Sequence, residues 1–551
     1  TADHTLRRPQ VLNWIDQRVP VRFIAFFVVV ALWVLSALQL VVGQASLWVV
    51  LCLTGLVGLG VHDLQQKSHA ILRNYPIIGH LRFLLEFIRP ELRQYFIEGD
   101  DDAVPFSRSQ RSLVYARAKG ESDKRPFGTQ MDVRAVGYEW LTHSLNPSVI
   151  DSHDFRVQVG GAQCTQPYNI SLFNVSAMSF GALSANAIMA LNLGAKRGGF
   201  AHDTGEGSIS RYHREHGGDL IWEIGSGYFG CRNDDGTFNA DAFKQNALSP
   251  QVKMIEIKLS QGAKPGHGGV LPGPKVTPEI AEARGVPVGV DCVSPAAHSS
   301  FSTPLELLQF VQKLRELSEG KPVGFKLCIG HPWEWFGIAK AMKESNILPD
   351  FIVVDGAEGG TGAAPLEFTD HIGMPLLDGL HLVHNTLVGL NLRKDIRLGA
   401  SGKIINGFDV MRTVALGADW CNSARGFMFA LGCIQAQTCH TGNCPTGVAT
   451  QDPKRQIALV VPTKADRVQN FHHETLESVR EMLQATGLKR PADLSLKHIM
   501  RRVSALEVQN LSSLMPGLAE GALLNGQPLE GLYQQYWQDA SASSFALNSK
   551  S

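Results

Sequence analysis

The stretch Phe351-Ile-Val-Val354-Asp355-Gly-Ala-Glu358-Gly-Gly-Thr361-Gly362 decides the fold. A short apolar run that ends at an acidic residue and a glycine-rich loop reads as a buried strand, and the small residues after it let a planar ring approach the backbone. Similar short apolar runs recur at 169–175, 199–203, 254–259, 323–328, 396–399 and 418–422, mostly followed by glycine-rich loops. Amphipathic segments at 184–196, 304–317 and 408–416 lie between them. Strand then helix, repeated over about 270 residues, predicts a parallel α/β fold, and this length fits a (β/α)8 TIM barrel. A doubly wound sheet is the alternative. No G-x-G-x-x-G stands at a strand-to-helix junction, which weighs against a nicotinamide-binding domain of that kind.

Outside the barrel, residues 23–42 (FIAFFVVVALWVLSALQLVV) form an uncharged run long enough to cross a hydrocarbon core of about 30 Å as a helix. A shorter uncharged run, 45–61, follows Gly43-Gln44, so the fold class expected is a barrel preceded by an N-terminal transmembrane helical hairpin. Gly55, Gly58 and Gly60 inside the second run suit close helix packing. Arg7, Arg8, Arg18 and Arg22 precede the pair and Lys67, Arg73 and Arg82 follow it. Basic flanks on both sides place both ends, and the catalytic body, in the cytoplasm, with the hairpin in the inner (cytoplasmic) membrane. A cleaved signal peptide fits poorly, because the run is too long and lacks a small-residue cleavage site. Residues 74–98 mix large apolar residues with arginines at helical spacing, either along the membrane surface or as a core helix. The polar stretch 108–125 reads as a linker or as a cover over one end of the body. The expected domains are 1–22, a cytoplasmic segment; 23–61, the hairpin; 62–150, a juxtamembrane region; 151–501, the barrel with its cysteine loop; and 502–551, a C-terminal extension and tail.

The chain has 551 residues with 51 basic and 51 acidic side chains, so no global field recruits nucleic acid and any anion site must be local. Two late loops fit an anion site of the kind barrels place after strands seven and eight. Gly399-Ala-Ser401-Gly402-Lys403 follows one strand and Asn422-Ser-Ala424-Arg425-Gly426 the next, supplying backbone N–H groups and two cations. The loop from Lys258 through Gln261 and Lys264 to Lys275 gathers three lysines and a glutamine among glycines, as a site for a dicarboxylate beside an anionic cofactor requires. Cys433, Cys439 and Cys444, followed by Pro445, lie within twelve residues. Three clustered thiolates with a Cys-Pro step suggest an iron–sulfur centre with three protein ligands. Zinc completed by His440, or unrelated buried or disulfide-bonded cysteines, are the alternatives. The other six cysteines are scattered, which argues against a disulfide framework.

Six ordered motifs carry a resemblance: Ala177-Met178-Ser179-Phe180-Gly181-Ala182, Thr204-Gly205-Glu206-Gly207, the 258–276 loop, Gly289-Val290-Asp291 with Ser294-Pro295, Gly359-Gly360-Thr361-Gly362, and Leu431-Gly432-Cys433 through Cys444-Pro445 with Gly447-Val448-Ala449-Thr450-Gln451-Asp452-Pro453. Over roughly 155–501 the chain resembles the FMN-binding synthase domain of glutamate synthase. The resemblance implies FMN, a [3Fe-4S] cluster on Cys433, Cys439 and Cys444, and reduction of 2-oxoglutarate after condensation with ammonia. It implies Met178, Ser179, Lys258 and Gln261 near the flavin ring, and Gly402, Lys403, Ala424 and Arg425 near its phosphate. It implies Glu206, Lys264 and Arg284 as the residues that hold or act on the oxo acid, with Gln261 also beside the reacting centre. Arg425 stands where the family has a small polar residue, and Ser401-Gly402-Lys403 departs from its Gly-Gly-Leu-Lys-like loop. The family's N-terminal glutaminase and long C-terminal domain have no counterpart in these motifs, so the chain resembles a stand-alone, membrane-tethered branch.

The expected function is therefore an FMN- and [3Fe-4S]-dependent oxidoreductase acting on an amino acid/2-oxo acid pair, with ammonia free or delivered by a protein partner. A membrane-tethered flavin dehydrogenase passing electrons to quinone is the second reading. An inactive membrane scaffold is the third, and the presence of Glu206, Lys264 and all three cluster cysteines counts against it.

Overall fold

The structure, a computed structural model, describes residues 21–102, 105–271, 273 and 276–547. Arg7, Arg8, Arg18 and Lys275 lie outside the described residues. The chain divides into two compact units, one ending at Asp102 and the other beginning at Ala103.

In the first unit the two apolar runs form helices, Ile24–Val41 and Leu47–Gln65, about 27–29 Å long at 1.5 Å per residue. Both are long and apolar enough to cross a bilayer, and of all their residues only Gly60 and Asp63 are buried. They turn at Gly43, whose φ of 77° lies in the left-handed region. Trp33 Nε1 donates to Thr54 Oγ1 at 2.8 Å between them. Of the three glycines expected to pack, only Gly60 does: a Cβ there would lie 2.3 Å from Phe26 Cδ2, whereas Gly55 and Gly58 have nothing within 4 Å. Short helices Ala70–Asn74 and Gly79–Leu92 follow, the latter continued by one wider turn, Arg93–Ile97.

The second unit is built on eight parallel strands in a closed barrel. In chain order they are β1 (Phe173–Val175), β2 (His202–Asp203), β3 (Leu220–Ile224), β4 (Val252–Lys258), β5 (Val323–Leu327), β6 (Phe351–Asp355), β7 (Arg397–Ser401) and β8 (Trp420–Ser423). Each pairs with its neighbours in sequence, and Cys421 of β8 against Phe173 of β1 closes the ring. Seven strands lie where the apolar runs predict them. The eighth, Leu220–Ile224, carries Glu223 in its middle, a charge that hides a strand from sequence reading; all five of its residues are buried. The connecting helices include Ala185–Gly198, Pro304–Leu317 and Gly407–Ala415, within two residues of the predicted segments.

Strand alternation stacks the inward side chains in layers. At the N-terminal end Ile221, Met254, Phe351, Val353 and Trp420 pack with Val159 and Ile170 of an antiparallel hairpin, Arg156–Val159 with Tyr168–Ser171. Trp420 fills the space over Gly399, where a Cβ would come within 2.6 Å of the indole. The middle layer is charged: Asp203, Glu223, Glu256 and Lys326, all buried. The upper layer, Lys258, Asp355, Ser401 and Asn422, opens at the C-terminal ends of the strands.

The polar stretch beginning at Arg108 belongs to this unit and covers the barrel. Arg108–Lys119 is a helix started by a Ser107–Gln110 capping box, and it packs on Val461–Ala485 and Arg425–Leu431. Its Arg111 and Arg117 are buried; Arg111 Nη1 donates to the Phe106 carbonyl at 2.9 Å, and Arg117 Nε to Asp123 at 3.0 Å. A three-stranded antiparallel sheet pairs Glu139–Leu141 with Ile499–Arg502 and the latter with Val508–Asn510. It fastens the entry and exit of the barrel chain to each other.

Candidate active site

A cavity of about 820 Å³ opens at the C-terminal ends of the strands, where a (β/α)8 barrel places its chemistry. All eleven non-cysteine site residues expected from the sequence line it: Met178 and Ser179 follow β1, Glu206 follows β2, Lys258 ends β4, and Gln261 and Lys264 lie in the next loop. Arg284 reaches it from the end of helix Pro278–Arg284, Gly402 and Lys403 follow β7, and Ala424 and Arg425 follow β8. Residues up to 247 positions apart in sequence thus share one wall because ring closure sets β8 beside β1.

Lys258 is the hub of the substrate end. Its Nζ lies 3.0 Å from Glu206 Oε1 and donates to Gln261 Oε1 at 2.7 Å. Its own carbonyl accepts from His298 Nε2 at 2.8 Å. Because a carbonyl only accepts, Nε2 carries the hydrogen, so in the neutral ring Nδ1 accepts from Tyr228 Oη at 3.1 Å. Burial lowers the His298 pKa to about 4, so the ring is neutral near pH 7. Tyr228 and His298 therefore position Lys258, a role invisible in sequence because neither belongs to the lysine-rich loop.

Burial alone would push the Glu206 carboxyl up, but Lys258 first and then Lys264 and Arg284 outweigh it and hold the group below its ordinary value. Lys264 shifts downward through burial, partly opposed by Glu206. The Arg284 guanidinium is buried, with contacts to the Phe180 carbonyl at 3.4 Å, Cys292 Sγ at 3.6 Å and the Phe229 ring at 5.1 Å. No carboxylate among the described residues lies in ion-pair reach of it, and its Nε has no hydrogen-bond partner.

At the opposite end the loops interlock. Asp355 accepts from the Gly262 N–H at 2.7 Å and from Ser401 Oγ at 2.5 Å, clamping the loops after β4, β6 and β7 to one carboxylate. The approach is tight: a Cβ on Gly262 would stand 1.7 Å from the Gly356 carbonyl oxygen. Gly402 has φ 148° and Lys403 the left-handed φ of 53°, with Lys403 Nζ 5.8 Å from the Phe106 ring centre. Arg425 Nη2 donates to the Thr361 carbonyl at 2.5 Å, so the guanidinium lies along the 359–362 glycine loop. Asn422 Oδ1 is buried on this wall without a donor, an acceptor that a bound group with N–H donors would satisfy.

None of the nine cysteines is disulfide-bonded. Cys439 lies on the cavity wall; Cys433 and Cys444 are buried. Burial raises the Cys433 thiol to about 11. Burial raises Cys444 too, but it receives the N–H groups of Ala449, Thr446 and Val448 and the Thr446 hydroxyl, which together bring it below its ordinary value. Such a ring of donors suits a thiolate ligand. Among the described residues the only triad of potential ligands gathered within 4.8 Å is Asp203, Glu223 and Glu256 of the charged middle layer.

The conserved region in glutamate synthase matches residues 146–489. The glutamate synthase large subunit-like protein YerD of Bacillus subtilis is 37% identical over 496 residues, covering 83% of this chain and 94% of that protein. The archaeal-type glutamate synthase (NADPH) of Thermotoga neapolitana is 37% identical over 314 residues, 57% of this chain and 59% of that one. The archaeal glutamate synthase (NADPH) of Methanocaldococcus jannaschii is 36% identical over 315 residues, 57% of this chain and 58% of its own length. The chain thus spans nearly all of the first relative and under three-fifths of the other two.

Proposed function

The chain belongs to the glutamate synthase family, and from that premise we propose that it is an FMN- and [3Fe-4S]-dependent oxidoreductase that reductively aminates 2-oxoglutarate, or a closely related 2-oxo acid, to the amino acid. The observation that carries the substrate class is the pair of cations in one cavity: the buried Arg284 guanidinium without a carboxylate in ion-pair reach among the described residues, and Lys264, each acting on Glu206. A dicarboxylate needs two separated positive groups, and a guanidinium offers one carboxylate a bidentate pair while an ammonium offers a point charge.

FMN suits the part of the cavity where Asn422 Oδ1 lacks a donor and where Gly402, Lys403, Ala424 and Arg425 would receive its phosphate. Met178, Ser179, Lys258 and Gln261 would border its ring. Cys433, Cys439 and Cys444 would hold the [3Fe-4S] cluster. When bound, the flavin supplies hydride chemistry and the cluster one-electron chemistry. Glu206, ionised beside Lys258, holds the substrate nitrogen side by accepting its N–H groups. Gln261 keeps the Lys258 ammonium aimed into the cavity, and Lys264, made more acidic by burial, is suited to give a proton at the reacting end. Ammonia would arrive free or from a protein partner, and electrons from a separate donor.

The two apolar helices support a membrane tether with the catalytic unit on the cytoplasmic side, given Lys67, Arg73 and Arg82 after the second helix. They equally favour the second reading, a dehydrogenase of the same cofactors that passes electrons to quinone. Titrating 2-oxoglutarate into the purified holoenzyme while following the flavin spectrum separates the two. Wild type should show a saturable perturbation that Lys264→Ala and Arg284→Ala each weaken at least tenfold. No perturbation, or unchanged binding in both variants, removes the 2-oxoglutarate assignment and puts the quinone-linked reading ahead.

A further inference from the structure

The helix Gly79–Leu92 and the turn Arg93–Ile97 leave an apolar stripe uncovered by the described residues. Leu81, Leu84, Leu85, Leu92, Tyr95 and Phe96 recur at helical spacing and are all exposed, Phe96 to 82%. Of the helix itself only Gly79 is buried, so within its own unit this is no core helix. Arg82, Arg89 and Arg93 form a second, basic row beside the stripe, exposed likewise. A helix that is apolar on one face and arginine-lined along its flank matches a bilayer interface, acyl boundary below and anionic phosphates at the edge.

Its position is set by the hairpin. Arg22, just before the first apolar helix, has Nη1 3.4 Å from Asn74 Oδ1. Asp63, in the last turn of the second apolar helix, is fully buried and accepts from the Ile77 N–H at 2.9 Å and from His80 Nε2 at 2.9 Å. Both contacts come from the same end of the hairpin, and both land on residues 74–80, immediately before or at the start of the amphipathic helix. The helix therefore begins at the depth where the apolar spans end, which is the membrane surface if they cross a bilayer.

We propose that residues 79–97 form an interfacial helix that lies on the bilayer, its leucine and aromatic stripe in the acyl boundary and Arg82, Arg89 and Arg93 on the phosphates of anionic lipids. The inference rests on the reading of the hairpin as membrane-spanning. Asp63 acts as the staple that holds the helix start at the hairpin's end, and Arg82 is shared with Glu86, 3.8 Å away.

The test uses the full chain in nanodiscs, with one environment-sensitive fluorescent amino acid introduced by amber suppression at position 38, 86 or 96. Lipids carrying a doxyl quencher report contact. Leu38 lies in the first apolar helix and reads the hairpin alone; Glu86 is exposed on the polar side. The expected result is at least twofold quenching at positions 38 and 96 and little at 86. Quenching at 96 should rise with the phosphatidylglycerol fraction, and Arg89→Gln with Arg93→Gln should remove that rise. Quenching at 38 without quenching at 96, whether 96 is wet or covered by protein or a second copy, overturns the interfacial helix and leaves the tether standing. No quenching at 38 overturns the tether itself. Quenching at 96 that ignores lipid charge in wild type overturns the assigned role of the arginines.

Discussion

Replacing Lys326 by methionine should unlock the charged middle layer of the barrel, and the loss should grow with pH. Lys326 Nζ bonds Glu223 directly and stands 3.3 Å from Glu256, with Asp203 completing a set of three fully buried carboxyl groups. Three carboxylates against one ammonium cannot all be ionised in this dry layer. Burial first, then the Glu223 carboxylate, raises Asp203 to about 7 against the pull of Lys326. Burial also drives Glu256 upward, against the pull of Lys326. Burial opposes the charge on Lys326, but Glu223, Glu256 and Asp203 outweigh it and hold the lysine ionised. Removing one partner of such a buried set costs about 3–5 kcal/mol. The sign of the pH dependence follows from the direction of the acid shifts. A carboxyl raised in the folded state binds a proton that the unfolded chain has released above about pH 4, so stability falls as pH rises towards the folded value. Without the lysine Asp203 and Glu256 move further up, and each additional proton held costs about 1.4 kcal/mol per pH unit. Urea titrations of detergent-solubilised wild type and Lys326→Met, followed by the fluorescence of the buried tryptophans, should therefore differ by about 3–5 kcal/mol at pH 8 and by about 1–3 kcal/mol less at pH 6. A difference below about 1 kcal/mol, equal at both pH values, would refute the charge assignment.

Three other outcomes follow from the same structure. Cys439→Ser should lose iron and acid-labile sulfide while keeping FMN, by chemical analysis of anaerobically purified protein; stoichiometric zinc without sulfide in wild type would contradict the cluster. Arg425→Ala should weaken FMN retention by about one to two decades, since a charge-assisted contact to phosphate contributes about 1.5–3 kcal/mol, measured as flavin released on dilution. Removing residues 1–102, the whole first unit, should free the flavin-binding body from membranes, whereas removing only 1–61 should leave a salt-sensitive fraction on anionic vesicles through the 79–97 helix. Sedimentation with and without 0.5 M salt, which cuts the Debye length from about 30 Å in 10 mM buffer to about 4 Å, separates the two.

Legibility in the sequence tracks how local each constraint is. The strand at Phe351–Asp355 is readable because its apolar side chains and its glycine-rich exit are adjacent in the chain. The cysteine set is readable for the same reason, three thiols within twelve residues. Leu220–Ile224 is unreadable by pattern because Glu223 looks solvated until Lys326, 103 positions later, is seen to neutralise it inside the ring. Arg111 and Arg117 make helix Arg108–Lys119 look like a linker, although their charges are met by the Phe106 carbonyl and Asp123 while the helix seals the barrel wall. The same logic applies to the site. Lys258, Gln261 and Lys264 announce themselves in one loop, whereas Tyr228 and His298, which aim Lys258 through its carbonyl, lie in two other loops and have no pattern of their own. Barrel closure creates these long-range pairings, and it is also what makes them necessary. A lysine that must stay oriented beside Glu206 needs its backbone fixed from outside its own loop, and in a (β/α)8 ring the neighbouring loops are the groups within reach.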